Sequence, residues 1–321
     1  MVRDSVWVKA LITAEFTDDG VICLRELGYE VLRAGWGVTR QPLDASALVA
    51  AASGCTLLVT ELEVVDAEVL AALPSVQLVA TARGGPVNVD LAACAAREVP
   101  VLFTPGRNAE SVADFTIGLL LTLCRGITAA DRHLRETGWQ VGDDLPYLHF
   151  RGPELAGRVL GIVGLGAVGR LVAQRASAGF GMRVLHHDPN VPGSLPLPEL
   201  AAAADVLSLH CPRLPATRGL VDADLLARLR PSSYLLNTAG GGIVVEDALC
   251  EALDAGRLAG AALDVFAVEP LPRDSRLLRT PGLLLTPHLA GAADDVVTHH
   301  TTMLCDDIER WHRGEPLMHR A

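Results

Sequence analysis

At 321 residues the chain is long enough for about two domains, and half of it is hydrophobic, so each can bury a core. A net charge of −11 argues against nucleic acid as the main partner, because phosphate contacts need a basic surface. No apolar run approaches the roughly 20 residues of a membrane-spanning helix, and Met1–Ala10, with Arg3, Asp4 and Lys9, lacks the pattern of a signal peptide.

The first hundred residues alternate strand and helix. Val6–Ile12 reads as a strand and Asp18–Leu27 as a helix stopped by Gly28. Strand-like runs recur at Tyr29–Leu32, Thr56–Thr60, Gln77–Thr81 and Val99–Thr104, with helical stretches between them. Such alternation implies a parallel sheet flanked by helices. Ala109–Arg125 is a longer helix, apolar over much of its surface, which suits burial between domains or subunits. After a loop-rich passage at Gly138–Gly157 the rhythm restarts with strand Arg158–Gly164 and helix Val168–Phe180. Further strands are expected at Arg183–His187, Val206–His210, Ser233–Asn237, Gly260–Val265 and Leu283–Thr286. This second set has the length and order of a dinucleotide-binding unit. Gly291–Ala321 reads as helical and then frayed.

Two scarcities narrow the chemistry. Cys23, Cys55, Cys94, Cys124, Cys211, Cys250 and Cys305 are an odd, scattered set without C-x-x-C pairs, which speaks against a disulfide framework or structural zinc and for the cytoplasm. Lys9 is the single lysine, so no other Schiff-base or lysine general-base candidate exists.

The strongest local signal is Gly161-Ile-Val-Gly164-Leu-Gly166-Ala167-Val168-Gly169, a G-x-G-x-x-G between an apolar strand and a helix. Gly164 permits the tight turn, Gly166 lets the backbone approach a pyrophosphate, and Gly169 lets helix and strand pack closely. The helix N-terminus, from Ala167 and Val168, offers N–H groups to phosphate. Asp188 closes the next strand nineteen positions after Gly169, the spacing that reaches ribose hydroxyls. A carboxylate there repels a 2′-phosphate, so NAD is favoured over NADP, although Arg183 and His187 are close in sequence.

Three more segments end strands of this unit: Asn237-Thr-Ala-Gly-Gly-Gly242, Leu263-Asp-Val-Phe-Ala-Val-Glu269-Pro and Thr286-Pro-His288-Leu-Ala-Gly291. Together with the glycine loop, Arg83-Gly-Gly-Pro-Val-Asn-Val-Asp90, Pro105–Asp114 and Leu209-His-Cys-Pro212 through Thr217, they resemble the D-isomer-specific 2-hydroxyacid dehydrogenase family over nearly the whole chain. That family includes phosphoglycerate, glycerate and formate dehydrogenases.

The resemblance implies an α/β protein of two Rossmann-like domains with parallel sheets, the cofactor domain inserted into a flavodoxin-like substrate domain. Residues 1–104 plus 292–321 would form the substrate domain. Residues 105–291 would form the NAD-binding domain, with a dimerisation helix and arm, in a homodimer whose substrate lies in a cleft closed by a hinge. The reaction implied is reversible hydride transfer between NADH and a 2-oxo acid. His288 resembles the general acid/base and Glu269 its orienting partner. An imidazolium can protonate a developing alkoxide, and a carboxylate on the other ring nitrogen fixes the tautomer. Asp264 resembles the acceptor of a nicotinamide carboxamide. Thr238 and Ala239 fall on the nicotinamide side, His210, Cys211 and Pro212 on the adenosine side, and Thr217, His288 and Gly291 also resemble cofactor-binding positions. Arg83, Gly84 and Gly85 resemble a loop whose N–H groups face a substrate carboxylate.

One residue departs from the pattern. The family carries Asn-x-x-Arg-Gly, whose guanidinium binds the substrate carboxylate, and this chain reads Asn237-Thr-Ala-Gly240-Gly241. Losing such a contact commonly costs about 2.7–4 kcal/mol by analogy with a missing oxyanion donor. Three consequences stay open. Arg83 takes over the carboxylate, or the substrate is a bulkier or differently charged one, or the chain is an NAD(H)-binding regulatory or scaffold protein with little turnover.

Overall fold

The computed structural model describes residues 8–321, so the strand expected from Val6 is seen from Val8 onward and Val6 and Trp7 lie outside the described residues. The chain divides into two compact units, 8–108 with 293–321, and 109–292. The sequence predicts these boundaries at 104/105 and 291/292.

The first unit holds five parallel strands: β1 (Val8–Ile12), β2 (Tyr29–Arg33), β3 (Cys55–Thr60), β4 (Leu78–Thr81) and β5 (Val101–Leu102), in the order β2-β1-β3-β4-β5. This is the flavodoxin-like order. β3 and β4 are covered on both faces, which is why they read as near-continuous apolar runs. Four helices start where the sequence supplies a cap. Thr17, Asp44, Asp66 and Asp90 accept the backbone N–H of Gly20, Ala47, Val69 and Ala93, each three residues on.

The helix Asp295–Arg313 returns to this unit and buries Leu304, Cys305 and Ile308 with Phe16, Leu24 and Leu57. The residues after it do not fray, as the sequence suggested they would. Asp307, almost wholly buried, accepts the backbone N–H groups of Met318 (2.6 Å) and His319 (3.0 Å) and bonds His319 Nδ1 (2.8 Å). Phe103 N then donates to His319 O and Ala321 N to Val101 O, so the tail pairs beside β5.

The second unit holds β6 (Val159–Val163), β7 (Arg183–His187), β8 (Val206–Leu209), β9 (Tyr234–Asn237), β10 (Gly260–Leu263) and β11 (Leu283–Leu285), all parallel in the order β11-β10-β9-β8-β6-β7. The chain runs outward from β6 to β7 and then returns to β8 on the other side of β6. That reversal opens a crevice beyond the carboxyl ends of β6 and β8, where such sheets bind ligands. The apolar helix Ala109–Cys124, expected between domains or subunits, is buried within this unit's own core. Its Ala113, Ile117 and Leu120 pack with Leu160, Ile162, Val172 and Leu236. The loop-rich passage contains one short helix, Pro146–His149. Among the described residues no single helix is long and apolar enough to cross a membrane.

Candidate active site

The glycine loop lies between β6 and the helix Ala167–Phe180. Gly164 has φ +90°, and a Cβ on it would stand 2.6 Å from Cys211 N. A Cβ on Gly169 would stand 2.2 Å from Gly164 O. Both positions therefore require glycine, one for backbone sign and approach, the other for helix-to-strand contact. A Cβ on Gly166 would meet nothing within 4 Å, and no side chain caps the helix at Gly166. The first N–H groups of that helix are thus left for a ligand, and open space lies over the loop. These features fit the pyrophosphate of a dinucleotide.

Asp188 sits one residue past β7, and its carboxylate accepts Leu165 N at 2.8 Å and Asn190 N at 3.0 Å. These two N–H groups, Asn190 first, hold its carboxyl below the usual carboxylate range, so it stands as an anion beside the cradle. Arg183 occupies the opposite end of β7, about 16 Å along the strand from Asp188. His187 Nδ1 is engaged by Leu195 O at 2.7 Å.

On the far side of the cradle, His210 bonds Ser208 Oγ through Nε2, and its buried Nδ1 has no partner among the described residues. Burial pushes His210 down to about 3, so it is neutral. Cys211 packs on the glycine turn, as the Gly164 contact shows. Thr217 Oγ1 donates to Pro212 O (2.6 Å) and accepts Leu214 N (2.9 Å), closing the 212–217 turn.

The loops after β9, β10 and β11 meet around one acid. Asp264 has no exposed surface, and its two oxygens accept Thr286 Oγ1 (2.6 Å), Leu289 N (2.8 Å) and Ala290 N (2.9 Å). Asp264 thus grips the 286–290 loop. His288 N donates to Asp264 O at 2.8 Å, and His288 itself is left-handed at φ +56°. That conformation is uncommon outside glycine and costs on the order of 1–3 kcal/mol, so it persists because the Asp264 bonds determine the loop. Ser111 Oγ closes the far end on Ala290 O at 2.7 Å, beside Gly291.

His288 Nδ1 lies 2.8 Å from Glu269 Oε2, with the imidazole largely exposed. Glu269 Oε1 accepts Phe266 N at 2.9 Å, which fixes the carboxylate. Burial works against its ionisation, but the His288 and Phe266 hydrogen bonds and the charges of His288 and Arg213 outweigh this. Its carboxyl is held below the usual range. A carboxylate can only accept, so Nδ1 carries the shared proton and Nε2 is the nitrogen free to exchange one with a ligand.

The loop after β9 is braced by Asn237, whose Oδ1 accepts Ala239 N (3.1 Å) and whose Nδ2 donates to Gly240 O (3.1 Å). Thr238 bonds Thr116 Oγ1 at 2.9 Å. A Cβ on Gly241 would fall 1.7 Å from Phe266 O, so only glycine fits there. Gly240 is different. A Cβ on it would meet only side chains, Arg213 Cβ at 3.2 Å, Ile243 Cδ1 at 3.5 Å and Arg213 Cδ at 3.8 Å. The backbone does not demand glycine at 240; the stem of Arg213 runs through the adjoining space. Arg213 follows the His210-Cys-Pro segment, and nothing in the sequence shows that its side chain lies beside a loop 27 positions on.

In the first unit, Arg83 O accepts both Thr104 N (2.9 Å) and Thr104 Oγ1 (3.1 Å), which anchors the turn after β4. The N–H groups of Arg83, Gly84 and Gly85 have no acceptor among the described residues, and a Cβ on Gly85 would meet nothing within 4 Å. The Arg83 guanidinium rests on Glu61 O at 3.3 Å. Among the described residues no cluster of three or more His, Cys, Asp or Glu side chains could hold a metal ion.

A glycine cradle at a strand-to-helix turn, with a carboxylate-bound imidazole on the carboxyl edge of the same sheet, defines a dinucleotide-binding α/β protein. Residues 117–290 match the NAD-binding domain of the D-isomer specific 2-hydroxyacid dehydrogenases, and the chain belongs to that family. The Bacillus subtilis protein YoaD, a 2-hydroxyacid dehydrogenase by name, is 34% identical over 318 residues, covering 96% of this chain and 92% of that one. The D-3-phosphoglycerate dehydrogenase of Mycobacterium bovis is 39% identical over 277 residues, 84% of this chain; the match spans about half (51%) of that longer protein. Among solved structures, the NADPH-dependent glyoxylate/hydroxypyruvate reductase of Sinorhizobium meliloti, in complex with NADP and malonate, superposes with a TM-score of 0.76 at 29% identity. It covers 98% of this chain and 97% of the other.

Proposed function

We propose that this chain catalyses reversible hydride transfer between NAD(H) and the carbonyl carbon of a 2-oxo acid, with His288 as acid/base and Glu269 as the group that orients it. The observation that carries the reading is the 2.8 Å His288–Glu269 pair on the same sheet edge as the glycine cradle. A bound nicotinamide dinucleotide supplies the hydride. The protein's part is the proton: Nε2 of His288 delivers it to the carbonyl oxygen of a 2-oxo acid, or withdraws it from a 2-hydroxy acid, while Glu269 holds Nδ1–H throughout.

Gly164, Gly166, Ala167, Val168 and Gly169 would hold the pyrophosphate, and Asp188 the adenosine ribose. The anionic Asp188 supports NAD over NADP, and the NADPH-dependent Sinorhizobium relative makes the comparison of NADH with NADPH worth measuring. The unengaged N–H groups of Arg83, Gly84 and Gly85 support that loop as a carboxylate-binding element.

Exposed apolar side chains on residues 127–148, among them Leu134, Trp139, Leu145 and Tyr147, support this arm as the contact of a homodimer. Seven unpaired cysteines, six of them buried, support a reducing compartment such as the cytoplasm.

The reading is tested by following consumption of reduced nicotinamide with a panel of 2-oxo acids. Native protein should turn over, and His288→Ala should lose about 10²–10⁴ in rate while still binding NADH. Native protein that binds NADH but reduces nothing on the panel favours the regulatory or scaffold reading. Sedimentation of native protein and Leu134→Glu tests the dimer, the variant being expected to shift to monomer.

A further inference from the structure

A 2-oxo acid carries a carboxylate next to its reacting carbonyl, and a site for it needs a cation or a set of N–H donors within reach of the acid/base. The loop after β9 carries no cationic side chain: it reads Thr238-Ala239-Gly240-Gly241-Gly242. The structure does place one cation beside that loop. The stem of Arg213 passes alongside Gly240, with Cβ and Cδ at 3.2 and 3.8 Å from where a Cβ at 240 would stand.

We propose that Arg213 is the cationic residue that receives the substrate carboxylate in the second unit, using the space that glycine at 240 leaves open. The assignment rests on the hydride-transfer reading above and deepens it. Three observations support it. First, Arg213 is exposed, and among the described residues no carboxylate lies within ion-pair distance of it and no hydrogen bond engages it, so its guanidinium is available. Second, its backbone is held firmly: Thr217 closes the 212–217 turn through bonds to Pro212 O and Leu214 N, and Cys211 is packed against the glycine turn. Third, Arg213 is the arginine whose charge helps hold the Glu269 carboxyl below its usual range.

Gly240 then has a physical reason to be glycine. Its φ does not require one, but a side chain there would press on the Arg213 stem. A guanidinium arriving from residue 213 meets the carboxylate from a different direction than one arriving from 240, so the same planar, two-pronged donor is kept while the volume available to the substrate changes.

The experiment compares native protein, Arg213→Gln, Arg213→Ala and the double variant Arg213→Leu/Gly240→Arg. NADH affinity is measured first by fluorescence. Oxamate, an unreactive 2-oxo acid analogue, is then titrated into each NADH complex, and KM and kcat are measured with the best substrate of the panel. The expected result is NADH affinity within about twofold of native for all, and oxamate affinity lower and KM higher by about 10- to 100-fold in Arg213→Gln. Added guanidinium chloride should partly rescue Arg213→Ala, which a merely structural role would not permit, and the double variant should regain carboxylate binding. If Arg213→Gln binds oxamate and turns over like native protein, the assignment is overturned and the function stands. If native protein binds NADH but neither binds oxamate nor reduces any 2-oxo acid, the proposed function fails and the assignment falls with it.

Discussion

The bond from His288 Nδ1 to Glu269 Oε2 decides which ring nitrogen can move a proton, and the state of Glu269 decides whether the bond has that polarity. The Glu269 carboxyl is held below its usual range, so it is ionised above that depressed pKa and loses its charge only as pH falls through it. The acid limb of the kcat/KM profile that reports Glu269 should therefore lie below the ordinary carboxylate value of about 4.3. Glu269→Gln should remove that limb and lower the rate, because an amide can turn its NH₂ toward Nδ1 and release the tautomer. A Glu269→Gln profile identical to native would show that the carboxylate does not govern the imidazole. At this scale the sequence singles out His288, Glu269, Asp188 and Asp264 by residue type and place in the chain. It does not show that Asp264 grips the histidine loop, because that depends on three donors more than twenty residues away, a matter of folding and not of residue type.

Elements end where glycines allow two backbones to meet. The loop after β9 touches the loop after β10 at Gly241, where a Cβ would fall 1.7 Å from Phe266 O. Phe266 N in turn holds Glu269 Oε1. Gly241→Ala must push these loops apart, and the expected outcome is a loss of about 1–3 kcal/mol in chemical denaturation together with a fall in kcat that NADH saturation does not restore. Unchanged stability with full activity would show that the two loops are not braced against each other. The element pattern itself was largely legible, because capping residues and period-two or period-3.6 runs are local. Boundaries moved by a residue or so at most strands. The largest change was Val99–Thr104, cut to two residues in β5, since Phe103 pairs with the chain terminus and not with β4.

Each unit has its own core, and the first depends on chain from both ends of the sequence. His300, on the returning helix, is buried between Glu15 O, which its Nε2 meets at 2.6 Å, and Arg107 Nη1, which donates to its Nδ1 at 2.7 Å. Arg107 also pairs with Glu61 at 3.1 Å. With one ring nitrogen accepting from a guanidinium, the imidazole must be neutral. Burial, aided by the Arg107 charge, pushes it down to about 4. A histidine depressed in the folded state contributes stability that is present above its unfolded pKa, near 6.5, and is lost as pH falls toward the folded value. Stability should therefore fall between about pH 6.5 and 4, by up to roughly 3 kcal/mol from this residue. Denaturant melts across that interval should show a shallower slope for His300→Gln than for native protein. Equal slopes would remove His300 from the account.

By itself the sequence determined the class of each unit and the family, because strand and helix periodicity, capping residues and the glycine cradle are properties of neighbouring residues. It also marked glycine at position 240 as a departure from the pattern of the family it resembles. Only the tertiary structure decided that the Arg213 stem lies beside Gly240, that Asp264 clamps the histidine loop, and that the last residues pair with β5 through Asp307. Those outcomes depend on which distant segments a closed core brings within 3 or 4 Å, and no local pattern encodes that distance.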